Sequence, residues 1–191
     1  MRYAEPSVTG YYSNATRQME EEVVRERDDS PRLRDRESYE QYLFSKYSWS
    51  EIEFSGGPEI KASSDKKEVS DGFGRRVIDT VFFLTIRQPV KPDRNIPTIL
   101  KHIGSTYTPG PLDFEYKNGY LVRTIRAGDW DEAAKKKAID GVIADMAKEI
   151  ERRNADIRAG NQSLKAAISK IVDWKMTEAA KNRAIKERLE K

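Results

Sequence analysis

Apolar side chains recur every seven residues near the C-terminal end of the chain, at Ile143, Ile150, Ile157, Leu164 and Ile171. Helical residues seven apart lie two turns apart on one face, so the column predicts a straight apolar seam along a helix. Three residues after each comes a less regular column of Met146, Arg153, Gly160, Ala167 and Trp174, flanked by Asn154 and Asn161. Small residues in a seam permit close backbone approach, and asparagine there can set register at some cost in stability. Asp129 followed by Glu132 has the form of an N-cap with a capping-box partner. A helix over residues 129–191 is expected, about sixty residues or roughly 90 Å long. Gly160 costs about 1 kcal/mol relative to alanine, yet the column crosses it without a change of phase, which predicts one continuous helix. The seam admits two uses, packing within the chain or pairing between chains. In the second, Ile143, Ile150, Asn154, Ile157, Asn161, Leu164 and Ile171 form the interface.

The middle third alternates as strands do. Glu51 to Phe54 reads as a short strand ended by Gly56-Gly57-Pro58. Arg76 to Arg87 is the strongest strand, with Val77, Val81 and Phe83 on one face and Ile78, Phe82, Leu84 and Ile86 on the other. Two apolar faces predict a central strand covered on both sides. Asp71-Gly72 and Asn118-Gly119 suit two-residue hairpin loops, where both positions want positive φ. With Asn118-Gly119 as the loop, Lys117 pairs with Tyr120, Tyr116 with Leu121 and Phe114 with Arg123. That register gathers Leu112, Phe114, Tyr116, Leu121 and Ile125 on one face and Asp113, Glu115, Lys117, Val122 and Thr124 on the other.

Residues 1–15 carry Pro6, Gly10 and Tyr11-Tyr12 and read as irregular; Thr16 to about Asp28 reads as a charged helix stopped by Ser30-Pro31. A second helix is expected from about Arg34 to Tyr47, with Tyr39, Leu43 and Tyr47 on one face beside Phe44. The fold class is therefore α+β: a helical region at 1–49, a small antiparallel sheet at 50–128, and the long coiled-coil-like helix at 129–191. The strong helix formers Ala184 to Lys191 end without a stop signal, which fits either a frayed helix end or a helix that continues into a downstream domain.

Composition narrows the function classes. Hydrophobic residues make 37% of the chain and charged residues 35%, which fits a modest core with a helix exposed over much of its circumference. The net charge of +3 arises from 35 basic and 32 acidic residues, so bulk charge gives no footprint for nucleic acid. Basic residues of the last helix are interleaved with acids at helical spacing, as on a solvated face. With no cysteine, disulfides and thiolate metal sites are excluded, in keeping with a cytoplasmic location. No apolar stretch has the length of a signal peptide or membrane span.

Signals for catalysis are few. His102 is the single histidine, with no cysteine or second histidine to complete a zinc site and no motif for a serine relay. Gly72-Phe73-Gly74 lacks the remaining residues of a phosphate loop. Asp93 followed by Glu115-Tyr116-Lys117 matches the spacing of the Asp…Glu-x-Lys nuclease pattern, in which two carboxylates hold Mg²⁺ and a lysine helps activate water. An exposed Glu/Lys face beside a hairpin turn produces the same string. A catalytic role is therefore the alternative expectation, with a nucleic-acid-binding accessory protein as a third. No cofactor or membrane partner is expected.

From residue 50 onward the order of elements carries a resemblance. It rests on the strand Val77–Ile86 followed by Gln88-Pro89-Val90, the loop ending Gly104-Ser105-Thr106-Tyr107, the hairpin, and the helix bearing Asn154-Ala155-Asp156-Ile157 and Asn161-Gln162-Ser163-Leu164. These residues resemble an N-terminal module of uncharacterised bacterial proteins of the restriction or phage-defence effector type. That module tends to carry Pro-Ser-Thr at Gly104-Ser105-Thr106 and an arginine–lysine pair at Asp173-Trp174-Lys175. The resemblance implies a non-catalytic sensor or assembly module, self-associating or positioning an effector, and supplies no catalytic residues.

Overall fold

A computed structural model describes residues 8–70, 73–74, 76–91, 115–128 and 130–190. The architecture is α+β, with three α-helices and five antiparallel strands among the described residues. The chain divides into two compact units, Met1–Glu51 with Ala155–Lys191, and Ile52–Asn154. Helix α3 (Glu132–Leu189) supplies residues to both, and it is continuous through Gly160 as its sequence phase predicts.

The first unit is helical. Helix α1 (Val8–Arg25) buries Val8, Tyr12, Ala15, Met19 and Val23, a stripe with steps of three and four. It begins well before the expected start at Thr16. Gly10 and Tyr11-Tyr12 weaken local helix propensity, and the burial of this stripe overrides them. A 3-10 turn at Pro31–Arg34 follows, capped by Ser30, whose hydroxyl accepts from the Arg32 N–H. Asp35 caps α2 (Arg36–Tyr47): its carboxylate accepts from the Ser38 N–H at 3.1 Å and from the Ser38 hydroxyl at 2.6 Å. Tyr39 and Leu43 of α2 are buried. From α3, Ile157, Leu164, Ile168, Val172 and Ala179 complete this core.

The second unit is the sheet with the N-terminal part of α3. Strand β3 (Arg76–Lys91) is central. On one side it pairs with β1 (Glu53–Phe54) and β2 (Glu59–Ser70); on the other it pairs with β5 (Tyr120–Ala127), which pairs in turn with β4 (Glu115–Lys117). The β4–β5 turn has Asn118 at φ 52° and Gly119 at φ 83°, the two positive values of a type I′ loop. Its register is the expected one, Lys117 opposite Tyr120 and Tyr116 opposite Leu121; Phe114 lies outside the described residues. The β2–β3 ladder closes at Ser70 opposite Arg76, and Asp71-Gly72 also lie outside the described residues.

Strand β3 runs through Pro89, past the expected end at Arg87. A central strand rarely tolerates proline, which cannot donate to the ladder. Here Val90 donates to the Gly119 carbonyl on the β5 side, so the adjacent residue directs its main chain toward β1 and β2. There the ladder is interrupted between Phe54 and Glu59, and only the Pro89 carbonyl is called on, accepting from Ser55 at 3.0 Å. Gln88, buried beside the break, closes it by donating from Nε2 to the Gly56 carbonyl at 2.7 Å.

Leu84, Ile86, Gln88 and Val90 are buried on one face of β3, and Leu121 shares it. Arg123, on the same face, pairs with Asp145 of α3 at 3.3 Å, which identifies the covering element. The opposite face is mixed: Val81 is buried on it and Phe83 half-buried, and toward its C-terminal end it turns polar. Thr85 bonds Thr124, and Glu59 takes Arg87 at 3.0 Å and the Tyr120 hydroxyl at 2.9 Å. The expectation that β3 is covered on both sides fails on the Ile78 and Phe82 face of its N-terminal half, while Val81 on the other face is buried. Ile78 and Phe82 are 78% and 57% exposed, because beyond Phe82 β3 pairs only with β2 and the two strands form a ribbon.

The cap of α3 also moves. Helix begins at Glu132, and Asp131 accepts from the Ala134 N–H at 2.7 Å; Asp129 lies outside the described residues.

Candidate functional site

The helix column is not a uniform stripe. Ile157 and Leu164 are fully buried within their own unit and Ile150 within the other, while Ile143 and Ile171 are half-buried. Residues at a strict spacing of seven drift by about 20° per heptad on a straight helix. Burial passes accordingly from the column to Val142 and Met146 before it and to Ile168 and Val172 after it. After Ile157 the buried positions Leu164, Ile168, Val172, Lys175 and Ala179 step by three and four, the spacing of an unsupercoiled helix.

The two asparagines have a defined task. In the sheet unit, Asn154 accepts from the Ile52 N–H at 2.7 Å and donates to the Ile52 carbonyl at 2.8 Å, with both residues buried. In the helical unit, Asn161 accepts from the Trp49 N–H at 3.2 Å and donates to the Trp49 carbonyl at 2.8 Å. A carboxamide meets a main-chain N–H and C=O as a neighbouring strand would, so each asparagine holds one residue of main chain at two points. Asn161 also accepts from the Tyr12 hydroxyl at 2.6 Å. Tyr12 lies across α3 where Gly160 leaves room: a Cβ at Gly160 would overlap the Tyr12 ring, with Cζ at 2.7 Å. Around this point Tyr11 stacks on Trp49, with ring centroids 3.7 Å apart.

Burial pushes the Tyr12 hydroxyl up to about 12, against the opposing pull of hydrogen bonding near Trp49. A raised acid makes the folded state hold its proton longer than the unfolded state does. The stabilisation is complete below pH 10, the ordinary tyrosine value, and is lost as pH rises to about 12. Melting temperature followed across that window should fall in the parent chain. In Tyr12→Phe the curve should start lower and slope less; equal slopes would remove Tyr12 from the account.

A second polar cluster joins α1 to α2. Glu22 takes Lys46 at 2.7 Å, the Tyr42 hydroxyl at 3.1 Å and the Tyr47 hydroxyl. Burial opposes ionisation of Glu22, but the hydrogen bonds from Lys46, Tyr47 and Tyr42 together outweigh it and hold the carboxyl below its usual value. Farther along, the buried Lys175 of α3 reaches Asp28 at 2.9 Å. These clusters tie helices together within the helical unit.

Of the nuclease pattern, Glu115 and Lys117 are exposed on one face of β4, as alternation requires. Asp93 lies outside the described residues, as do His102 and Gly104-Ser105-Thr106. Among the described residues no group of three or more His, Cys, Asp or Glu side chains is placed to hold a metal ion. No described helix is long and apolar enough to cross a membrane.

The surface that stands out is the β2–β3 ribbon. Every described side chain of β2 is exposed, and so are Arg76, Ile78, Asp79 and Thr80 of β3. Ile60, Phe82 and Ile78 share the face on which Leu84 and Ile86 are buried, so the apolar face of the core runs on into solvent. Sequence reading found Ile78 and Phe82 but assigned them to a covered strand, because alternation reports which side chains share a face and not which length of that face is covered; it named neither Ile60 nor the strand that carries it.

Comparison with family models, curated proteins and solved structures finds no match.

Proposed function

We infer that this chain is a non-catalytic interaction scaffold that works through its β2–β3 ribbon. The observation that carries the reading is the exposure of Ile60, Phe82 and Ile78 on the sheet face that is buried at Leu84 and Ile86, with Thr80 between Phe82 and Ile78. A two-stranded ribbon is marginal in water by itself, and contiguous exposed apolar surface marks an interaction site more often than an idle one. The helix seam named from sequence is a poorer interface, since Ile157 and Leu164 are already spent on the core of their unit. The likeness to assembly modules of phage-defence effectors supports the same class of function.

A photo-crosslinking residue at Ile78, compared with one at Asp79 on the opposite face, tests this in cells expressing the chain. Both positions are exposed. Adducts to protein at 78 and far fewer at 79 are expected. Equal labelling, or none at 78, would sink the reading.

A further inference from the structure

We propose that the ribbon's partner is a second copy of this chain, joined to the first by antiparallel pairing of the two β2 edges. The proposal rests on the ribbon being an interaction element and names what it engages.

Among the described residues β2 is paired on one side only, by β3. It is 12 residues long, at the upper end of what strands reach, and such an edge carries a row of main-chain donors and acceptors available to another strand. Lysine on an edge ordinarily blunts pairing of this kind. Here charge favours one of the five registers centred on Ala62 to Lys66.

Two copies related by a two-fold axis normal to the sheet keep equivalent faces on the same side, so residues of the same parity must oppose each other. Centring the axis on Ser63 sets Lys61 opposite Asp65 of the second copy, and by symmetry Asp65 opposite its Lys61. Centring on Ala62 opposes Glu59 to Asp65, centring on Asp65 opposes it to itself, and centring on Lys66 does the same for that lysine. Centring on Ser64 places Ile60 against Glu68 and Ala62 against Lys66, with no gain. Opposite charges directly across a ladder stabilise it and like charges destabilise it. In the Ser63 register, as in each register of this symmetry, Ile60 and Phe82 of both copies lie on the same side of the joined sheet, and Ile60 falls opposite Lys66 of the second copy.

The test uses the full chain and light scattering coupled to size exclusion over a range of concentrations. Dimer is expected. Lys61→Asp and Asp65→Lys should each weaken it roughly tenfold or more, since each reversal turns two attractive pairs into two repulsive ones. The double variant should recover most of the loss, because it exchanges the partners and restores opposite charge. Circular dichroism of each variant checks that the fold is kept.

A second measurement fixes the register. The chain has no cysteine, so Ser63→Cys introduces one thiol per copy. A residue opposite itself in an antiparallel ladder has Cα atoms about 4.5–5.5 Å apart, within reach of a disulfide. Oxidation should link Ser63→Cys into covalent dimer and should link Ser64→Cys poorly. A dimer indifferent to both reversals, or linked best through Ser64→Cys, would overturn the proposal and leave the scaffold reading standing. A monomer at every concentration would overturn it as well. Crosslinking at Ile78 then judges the scaffold reading independently.

Discussion

Asn154→Ala should destabilise the protein by about 3 kcal/mol, since a buried polar group left unpaired costs about 1–3 kcal/mol and two are exposed to that fate. The two are the N–H and carbonyl of Ile52, a residue 1% exposed, with Asn154 itself 6% exposed. Urea denaturation followed by far-ultraviolet circular dichroism reads the loss. A change below about 0.5 kcal/mol, the usual size for an ordinary surface substitution, would show that the two bonds do not hold Ile52. Asn154→Asp sharpens the test. An ionised carboxylate can accept from the Ile52 N–H but presents a second acceptor to the Ile52 carbonyl, where Asn154 donates. Once protonated, the carboxyl can donate. The variant should therefore be as damaged as alanine at neutral pH and regain stability as pH falls through the carboxylate range. The parent chain has no such gain at this position, and a variant whose deficit stays constant with pH would contradict the two-point grip.

Gly160→Ala should also destabilise, by about 2 kcal/mol, although helix propensity alone predicts a gain of about 1 kcal/mol. The sign reverses because the added methyl occupies the space of the Tyr12 ring. Tyr12 cannot simply swing aside: its hydroxyl donates to Asn161 at 2.6 Å and the residue is buried, so displacement costs hydrogen bonding as well as packing. A double-mutant cycle separates the two terms. In a Tyr12→Ala background the ring is gone, and Gly160→Ala should become neutral or stabilising by up to about 1 kcal/mol. If Gly160→Ala is stabilising in the parent chain, close approach of Tyr12 to the helix is not what this glycine serves.

Legibility in the sequence followed the range of the forces involved. The Asn118-Gly119 turn was readable with its register, because positive φ at two adjacent positions is a local demand that few residues meet. The α2 boundaries and the continuity of α3 were readable for the same kind of reason. The start of α1 was not. Val8 to Ala15 is helical on account of what Val8, Tyr12 and Ala15 bury, and propensity around Gly10 points the other way. Pro89 concealed the length of β3, since the strand survives it only through an interruption in the neighbouring strands.

The candidate site divides along the same line. Asn154 and Asn161 were conspicuous by their spacing, yet their partners were out of reach because Ile52 and Trp49 are about a hundred residues away.

By itself the sequence determined the α+β class, the long helix, the β4–β5 hairpin and the set of residues sharing each face, all of which follow from backbone periodicity and local turn chemistry. Tertiary structure alone decided which lengths of those faces are covered. It placed Ile157 and Leu164 inside and left Ile60, Ile78 and Phe82 in solvent, because burial depends on what packs against a face, and periodicity carries no information about the neighbour.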